Sequence, residues 1–282
     1  MSKYFGQHFL KNKNKIKKII EALDLKSGDK VIEIGPGHGE LTFAVIKKLS
    51  NLVIKNFKII AIEKDKKLAD ILKKSIETKW KFNGNSIEII QGDVLKILPN
   101  LITQLPNYPI TNYKIIGNIP YYITGYLLRV LAELERKPSL IVLTIQKEVA
   151  QRIIAESPRM NLLAASVQFW AEPEIIGYIS KKDFRPVPKV DSAIIKLIPF
   201  IETITRDSIE KEKYYRFTKI LFRQPRKTIL NNLINAELRR NLRGTTQKKE
   251  EVIQKLHQIG INPSDRPQNL NIEQILKLST LF

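Results

Sequence analysis

Cysteine is absent from the 282 residues, and histidine occurs only three times. Disulfides and thiolate metal centres are thereby excluded, and three scattered imidazoles argue against a zinc site, so no metal is expected. No apolar run is long enough to span a bilayer, and the opening Met1-Ser2-Lys3-Tyr4-Phe5-Gly6 lacks the apolar core of a secretory signal. A soluble cytoplasmic protein without membrane attachment is expected. Acidic residues are scarce, 28 against 48 Lys and Arg, for a net charge of +20. Such an excess favours a polyanionic partner, nucleic acid first and an anionic membrane second, although a lysine-rich composition alone also produces it. What is present is apolar sequence, 43% of residues, enough for one large domain or one domain with an appendage.

The most informative stretch is Lys114-Ile115-Ile116-Gly117-Asn118-Ile119-Pro120-Tyr121. Its β-branched run must end at Pro120, which has no N–H for a ladder and keeps Ile119 out of the α region. At the carboxyl end of a buried parallel strand, Asn118 and Tyr121 face the crevice where α/β proteins bind ligands. An amide and an aromatic ring suit a planar base with an amino group. An Asx turn with a packed tyrosine reads the tetrapeptide equally well.

Upstream, residues 1–30 carry eight lysines against three acids. Ile16, Ile19, Ile20 and Leu23 make a basic amphipathic helix behind a short arm, either a solvated face or a phosphate-binding one. His8 and Phe9 are a cofactor cover or a hydrophobic anchor. The strand Lys30 to Ile34 then runs into Gly35-Pro36-Gly37-His38-Gly39 and a helix over 40–49. Glycines there let backbone amides approach a ligand at a helix N-terminus. A second strand, 58–63, ends in Glu63, about 20 residues on, where a ribose diol is gripped in nucleoside-binding folds. A third, 86–91, runs into Gly92-Asp93, whose carboxylate either accepts from an adenine amino group or caps a helix.

Residues 98–112, with three prolines, read as a loop. A helix over 124–135, a strand over 140–145 and a helix over 147–156 complete five strand-helix alternations, so a mainly parallel, doubly wound sheet is expected. Phe184-Arg185-Pro186-Val187-Pro188-Lys189-Val190-Asp191-Ser192 forms a stiff extended loop before a final strand, 193–198. Phe184 at its entrance offers a ring for base stacking, or belongs to the core. From 200 onward only helical patterns occur, at 214–222, 229–238, 250–258 and 272–281. Domains are therefore expected over 1–200, including an arm and helix at 1–29, and over 201–282. In the second, Arg223, Arg226, Lys227, Arg239, Arg240 and Arg243 face a single acid, Glu237, a density suited to backbone phosphates. Asn262 to Pro267 reads as a stiff turn between the last two helices.

Taken in order, Gly6-Gln7-His8-Phe9-Leu10, Glu33-Ile34-Gly35-Pro36-Gly37-His38-Gly39, Asn118-Ile119-Pro120-Tyr121, Phe184 through Ser192 and Arg266-Pro267 resemble the ribosomal RNA adenine N6,N6-dimethyltransferases, in their bacterial small-subunit form. The resemblance spans nearly the whole chain. It implies a class I methyltransferase domain with an antiparallel final strand and a small all-α domain, with S-adenosylmethionine as cofactor. It implies that His8 and Leu10 cover the cofactor, that Gly35 and Gly37 lie along its methionine part, that Glu63 holds the ribose and that Asp93 meets the adenine. Asn118 then stands at the junction with substrate. Asn118 and the carbonyls of Ile119 or Pro120 orient the target amino group, while Tyr121 and Phe184 stack on the base. RNA contacts fall to Arg223, Arg226, Lys227, Arg239 and Arg240. The implied product is dimethyladenosine at two adjacent positions near the 3′ end of small-subunit rRNA, made by a monomer acting on a pre-30S particle.

Two departures stand out. The family's arm usually carries Asn where His8 stands, and Pro225 interrupts the basic cluster where an Arg is usual. Three rival readings are kept: a large-subunit rRNA methyltransferase of the macrolide-resistance type, a noncatalytic nucleic-acid-binding factor on the same scaffold, and, more distantly, a dinucleotide oxidoreductase, which gives Asn118 and Tyr121 no role.

Overall fold

A computed structural model of the chain describes residues 6–51, 57–80, 86–104, 113–200, 210–240 and 245–282. They form two compact units, Met1–Ala150 with Glu172–Pro199 and Gln151–Ala171 with Phe200–Phe282. Residues 151–171 thus fall in the second unit, whereas the sequence pattern changes at 200.

Among the described residues, the first unit is built on nine strands: β1 (Phe9–Leu10), β2 (Lys30–Ile34), β3 (Lys58–Glu63), β4 (Ile87–Gln91), β5 (Tyr113–Asn118), β6 (Leu140–Gln146), β7 (Ala171–Ile179), β8 (Phe184–Arg185) and β9 (Ser192–Pro199). Seven make one sheet in the order β4-β3-β2-β5-β6-β9-β7. Pairing is parallel from β4 to β6, and β9 is antiparallel to β6. The apolar runs explain this order. β2, β3, β5 and β6 are buried along nearly their whole length, as strands covered on both faces must be. β4 and β7 alternate with exposed residues and form the two edges.

The chain moves outward through β2, β3 and β4, then returns to place β5 on the other side of β2. The carboxyl ends of β2 and β5 therefore flank a topological switch point, where the crevice of such a sheet lies. At Gly117, paired with Ile34, an added Cβ would stand 2.8 Å from the Ile34 carbonyl oxygen, so only glycine permits this close approach. Glu33 in β2 and Lys114 in β5 are buried ionisable residues inside the central strands. The Lys114 ammonium ion-pairs with buried Asp29 at 2.7 Å and donates to the Asp24 carbonyl.

Helices α1 (Lys13–Ala22), α2 (Glu40–Asn51), α3 (Lys66–Trp80), α4 (Val94–Gln104) and α5 (Thr124–Glu133) connect these strands, and α6 (Lys147–Ile153) follows β6. In α1, Asn12 caps the N-terminus by accepting from the N–H groups of Asn14 and Lys15, and Ile19 and Ile20 point into the core. Two of its lysines serve packing: Lys15 donates to the Tyr178 carbonyl at 2.8 Å, and Lys17 pairs with Glu21. α4 corrects the loop expected from residue 98; only residues 105–112 of that expectation lie outside the described residues. Pro99 ordinarily costs a helix interior about 3 kcal/mol. Asp93 caps this helix, however, and Val94, Leu98 and Ile102 are all buried at a spacing of four, so tertiary packing outweighs the proline.

The small pairing of β1 with β8 was not foreseen. Phe9 stands opposite Arg185 and Leu10 opposite Phe184. Lys11 N–H donates to the Asp183 carbonyl and the Asn12 amide to the Asp183 carboxylate, both at 2.8 Å, so the arm is stitched to the segment that precedes the proline-rich loop.

In the second unit, α7 (Leu162–Gln168), capped by Asn161, is joined by α8 (Lys211–Leu221), α9 (Ile229–Arg240), α10 (Thr245–Gln258) and α11 (Ile272–Leu281). Tyr214 is fully buried, stacks on Phe169 with centroids 4.1 Å apart, and donates to the Ala165 carbonyl at 2.9 Å. Asn271 and Gln274 form a reciprocal cap on α11.

Candidate functional site

A cleft of about 770 Å³, counted to its open mouth, lies over the carboxyl ends of β2 to β5. Its size is that of a small-molecule site. The cleft is bordered by the arm at residues 6–9, the Gly turn, the ends of β3 and β4, and the segment from Asn118 to Ile123. Most of its wall is apolar, from Ile34, Ile62, Val94 and Ile119, with a few polar groups at its rim.

The Gly turn follows from local geometry. Gly35 and Gly37 have φ of 65° and 59°, and a Cβ on Gly37 would lie 2.7 Å from the Phe9 ring. The turn is therefore closed against the arm and presents backbone to the cleft. Glu63, 3% exposed at the end of β3, accepts from Gly37 N–H at 3.0 Å on one oxygen and from Asp65 N–H at 2.8 Å on the other. Burial raises its carboxyl above the usual range. Of the two roles the sequence left open, the structure shows the cap: Asp93 accepts from Leu95 N–H of α4, and it also borders the cleft, where Lys64 pairs with it at 2.8 Å. That lysine holds Asp93 below the usual carboxylate range.

Asn118, Ile119, Pro120 and Tyr121 all border the cleft. The Asn118 amide donates to the His8 carbonyl at 2.7 Å. Ile119 N–H is held by the Thr144 carbonyl at 3.1 Å, and the Pro120 carbonyl accepts from Ile123 N–H at 3.1 Å. The Tyr121 hydroxyl lies 2.8 Å from that of Ser192, and burial raises its phenol further above neutrality. His8 stacks on Tyr121, with centroids 5.9 Å apart, and its Nδ1 is 2.8 Å from the Pro186 carbonyl oxygen.

Two expected site residues stand elsewhere. Leu10 is buried in the core beneath the arm and does not border the cleft. Phe184 is 1% exposed, belongs to the same cluster, and presents no ring to the cleft. Its pairing opposite Leu10 turns the side chain inward, which corrects the stacking role that the sequence offered it.

A profile of the ribosomal RNA adenine dimethylase family matches residues 1–282, the full chain. The chain belongs to that family. Among relatives, the ribosomal RNA small subunit methyltransferase A of Mycoplasma capricolum is 36% identical over 99% of this chain and 97% of its own. A protein of the same name from Dehalococcoides mccartyi is 35% identical over 98% of this chain and 86% of its own. Among solved structures, a dimethyladenosine transferase from Plasmodium falciparum aligns with a TM-score of 0.76, at 26% identity, covering 96% of this chain and 95% of its own. A 23S rRNA methyltransferase shares the fold, with a TM-score of 0.68 at 24% identity and coverage of 96% and 98%.

This dimethylase-family chain is thus a methyltransferase with a mainly parallel sheet, as the resemblance implied. No described helix is long and apolar enough to cross a membrane, and no described group of His, Cys, Asp or Glu has the arrangement of a metal site. In the helical unit, Arg223, Arg226 and Lys227 are exposed on the loop between α8 and α9. Arg239 and Arg240 end α9, and Arg243 lies outside the described residues. Sequence reasoning missed Asn232, buried in α9, whose amide clamps that basic loop through Gln224 N–H and the carbonyls of Gln224 and Thr228, at 3.0 to 3.1 Å. It also missed the pairing of Ser192 with Tyr121, although Ser192 closes a motif already singled out.

Proposed function

We propose that the protein transfers methyl groups from S-adenosylmethionine to the N6 amino groups of two adjacent adenosines in the hairpin near the 3′ end of small-subunit rRNA. The product is N6,N6-dimethyladenosine at each, formed on a pre-30S particle in the cytoplasm by a monomer that needs no metal. The observation that carries this reading is the placement of Asn118 and Tyr121 on the wall of the same cleft as Glu63, Asp93 and the Gly turn.

The cleft fits the cofactor by its chemistry. Glu63 keeps lone pairs free for a ribose diol, Asp93 is an ionised acceptor for an exocyclic amine, and the turn at Gly35 and Gly37 admits an amino-acid moiety at backbone distance. When bound, S-adenosylmethionine supplies a methyl group on a sulfonium, an electrophile that is transferred with its bonding pair left on sulfur. The residues of this chain prepare the nucleophile. An adenine N6 lone pair is delocalised into the ring; acceptors on its two N–H groups favour a more tetrahedral nitrogen. Asn118 Oδ1 takes one hydrogen. The carbonyl of Ile119 or of Pro120 takes the other; that of Pro120 also holds Ile123 N–H, which occupies one of its two lone pairs. These fixed dipoles stabilise the positive charge that develops on nitrogen as the N–C bond forms. The methylated nitrogen then loses its proton to water. Tyr121 stacks on the extruded base, a contact worth about 1–3 kcal/mol. The exposed Arg223, Arg226 and Lys227, with Arg239 and Arg240, hold backbone phosphates from the helical unit, which includes 201–282, while 1–200 carries cofactor binding and transfer.

The test is an assay of the purified chain with labelled cofactor and under-methylated small and large subunits, offered separately. Dimethyladenosine in the small-subunit hairpin is expected. Label only in the large subunit, or none in either, sinks the proposal.

A further inference from the structure

The arm and the Asn118 motif meet through main chain. Asn118 Nδ2 donates to the His8 carbonyl at 2.7 Å. A carbonyl only accepts, so the contact fixes which end of the amide faces the arm: the NH2 lies on His8, and Oδ1 is turned away from it. Among the described residues, no donor is found on Oδ1.

The residue that supplies this carbonyl is itself held. His8 Nδ1 lies 2.8 Å from the Pro186 oxygen, which also only accepts, so Nδ1 carries the hydrogen. The imidazole stacks on Tyr121 at an interplanar angle of 29°. On the following residues the arm is continued by the β1–β8 pairing and by the bonds to Asp183. His8 therefore touches two other motifs at three points: its ring rests on the proline-rich loop and on Tyr121, while its backbone holds Asn118 of the same motif as Tyr121.

We propose that His8 is a positioning residue, a latch on Pro186 and Tyr121 that holds its own carbonyl where it turns Asn118 Oδ1 toward the substrate amino group. The proposal rests on the methyl-transfer reading above and deepens it. The two ends of an amide have opposite hydrogen-bonding character. A reversed Asn118 would present its own N–H groups to the N–H groups of adenine and lose the acceptor on which orientation depends. Without the arm, both orientations are open to the side chain; with the arm closed, one is selected. Closure over the cofactor and assembly of the acceptor set are then the same event. Neither requires a group to titrate.

The test uses the full-length protein, under-methylated small subunits and saturating cofactor, with His8→Ala, His8→Asn, Asn118→Ala and the His8→Ala/Asn118→Ala pair. Single-turnover transfer and cofactor Kd are measured separately, and thermal melts verify folding. His8→Ala is expected to slow transfer about tenfold while shifting cofactor Kd by less than about threefold, the signature of impaired orientation. His8→Asn, whose amide reaches for the Pro186 carbonyl, restores most of the rate. In the Asn118→Ala background, His8→Ala costs less than about twofold more, because its effect passes through Asn118. Two results overturn the latch: a weakened Kd with an unchanged saturated rate, which makes His8 a cover alone, or equal rate losses in both backgrounds. If His8→Ala fails to fold, His8→Phe, which keeps the stack and loses the donor, carries the same expectation. A wild-type protein that transfers nothing to the small subunit overturns the methyl-transfer reading and the latch together, whereas a failure confined to the His8 variants removes only the latch.

Discussion

The hydroxyls of Tyr121 and Ser192 lie 2.8 Å apart, joining the end of the Asn118-Ile119-Pro120-Tyr121 motif to the start of the final strand. Ser192 is fully buried. Tyr121→Phe strands the buried Ser192 hydroxyl, at a cost of about 1–3 kcal/mol, whereas Ser192→Ala removes the partner of the half-buried Tyr121 hydroxyl. Ser192→Ala and Tyr121→Phe should each lower the melting temperature, and the double variant should be more stable than the sum of the two losses allows. Melting curves for all four proteins measure the coupling; purely additive losses would show the pair to be incidental.

Phe184 separates a packing role from a stacking one. Its burial predicts that Phe184→Ala loses roughly 3–5 kcal/mol of stability. Phe184→Leu, which refills most of the space, should cost less and keep most methyl transfer. If the ring were needed against the base, the leucine variant would melt normally and transfer poorly, so melts and rates on the same samples distinguish the two.

Glu33 lies in β2, fully buried, with one oxygen bonded by Thr42 at 2.6 Å and the other without a partner among the described residues. Burial pushes its carboxyl up to about 8 from an ordinary value of 4.5. Between those values the folded chain holds a proton that the unfolded chain has released. Stability from this group is therefore full below pH 4.5 and declines as pH rises toward 8. Glu33→Gln removes that slope. The melting temperature of the variant relative to wild type should climb between about pH 5 and pH 8; a constant difference across that range would refute the assignment.

The basic loop offers a charge test. Replacing Arg223, Arg226 and Lys227 together by alanine should weaken small-subunit binding and flatten the salt dependence by about 0.7–0.9 for each phosphate no longer neutralised. Cofactor affinity should not move. Asn232→Ala keeps the charges and releases the clamp on the loop, so binding should weaken with the salt slope preserved. Titrations at several salt concentrations separate the effect of charge from that of loop order.

The central strands were legible because parallel strands covered on both faces must be mainly apolar, and 30–34, 58–63 and 140–146 each carry a run of buried apolar residues, with Glu33 the buried exception in the first. Strand-end positions made Glu63, Asp93 and Asn118 legible for the same reason: polar groups that end such runs have only the crevice to face. The β1–β8 pairing was not, since two residues on each side carry no period. α4 was hidden by Pro99, whose local preference yielded to a buried stripe. The inward turn of Phe184 depends on Leu10 standing opposite it, a fact of register and not of composition.

That register has a consequence for how the chain comes into being. His8 and its partner Pro186 are 178 positions apart. During N-terminal-first synthesis the Gly turn and β2 to β4 emerge well before residue 186, yet the wall of the cleft formed by the arm waits for it. A nascent or truncated chain ending before residue 184 would hold the central strands without the latch, and would lack the strand against which its own beginning must fold.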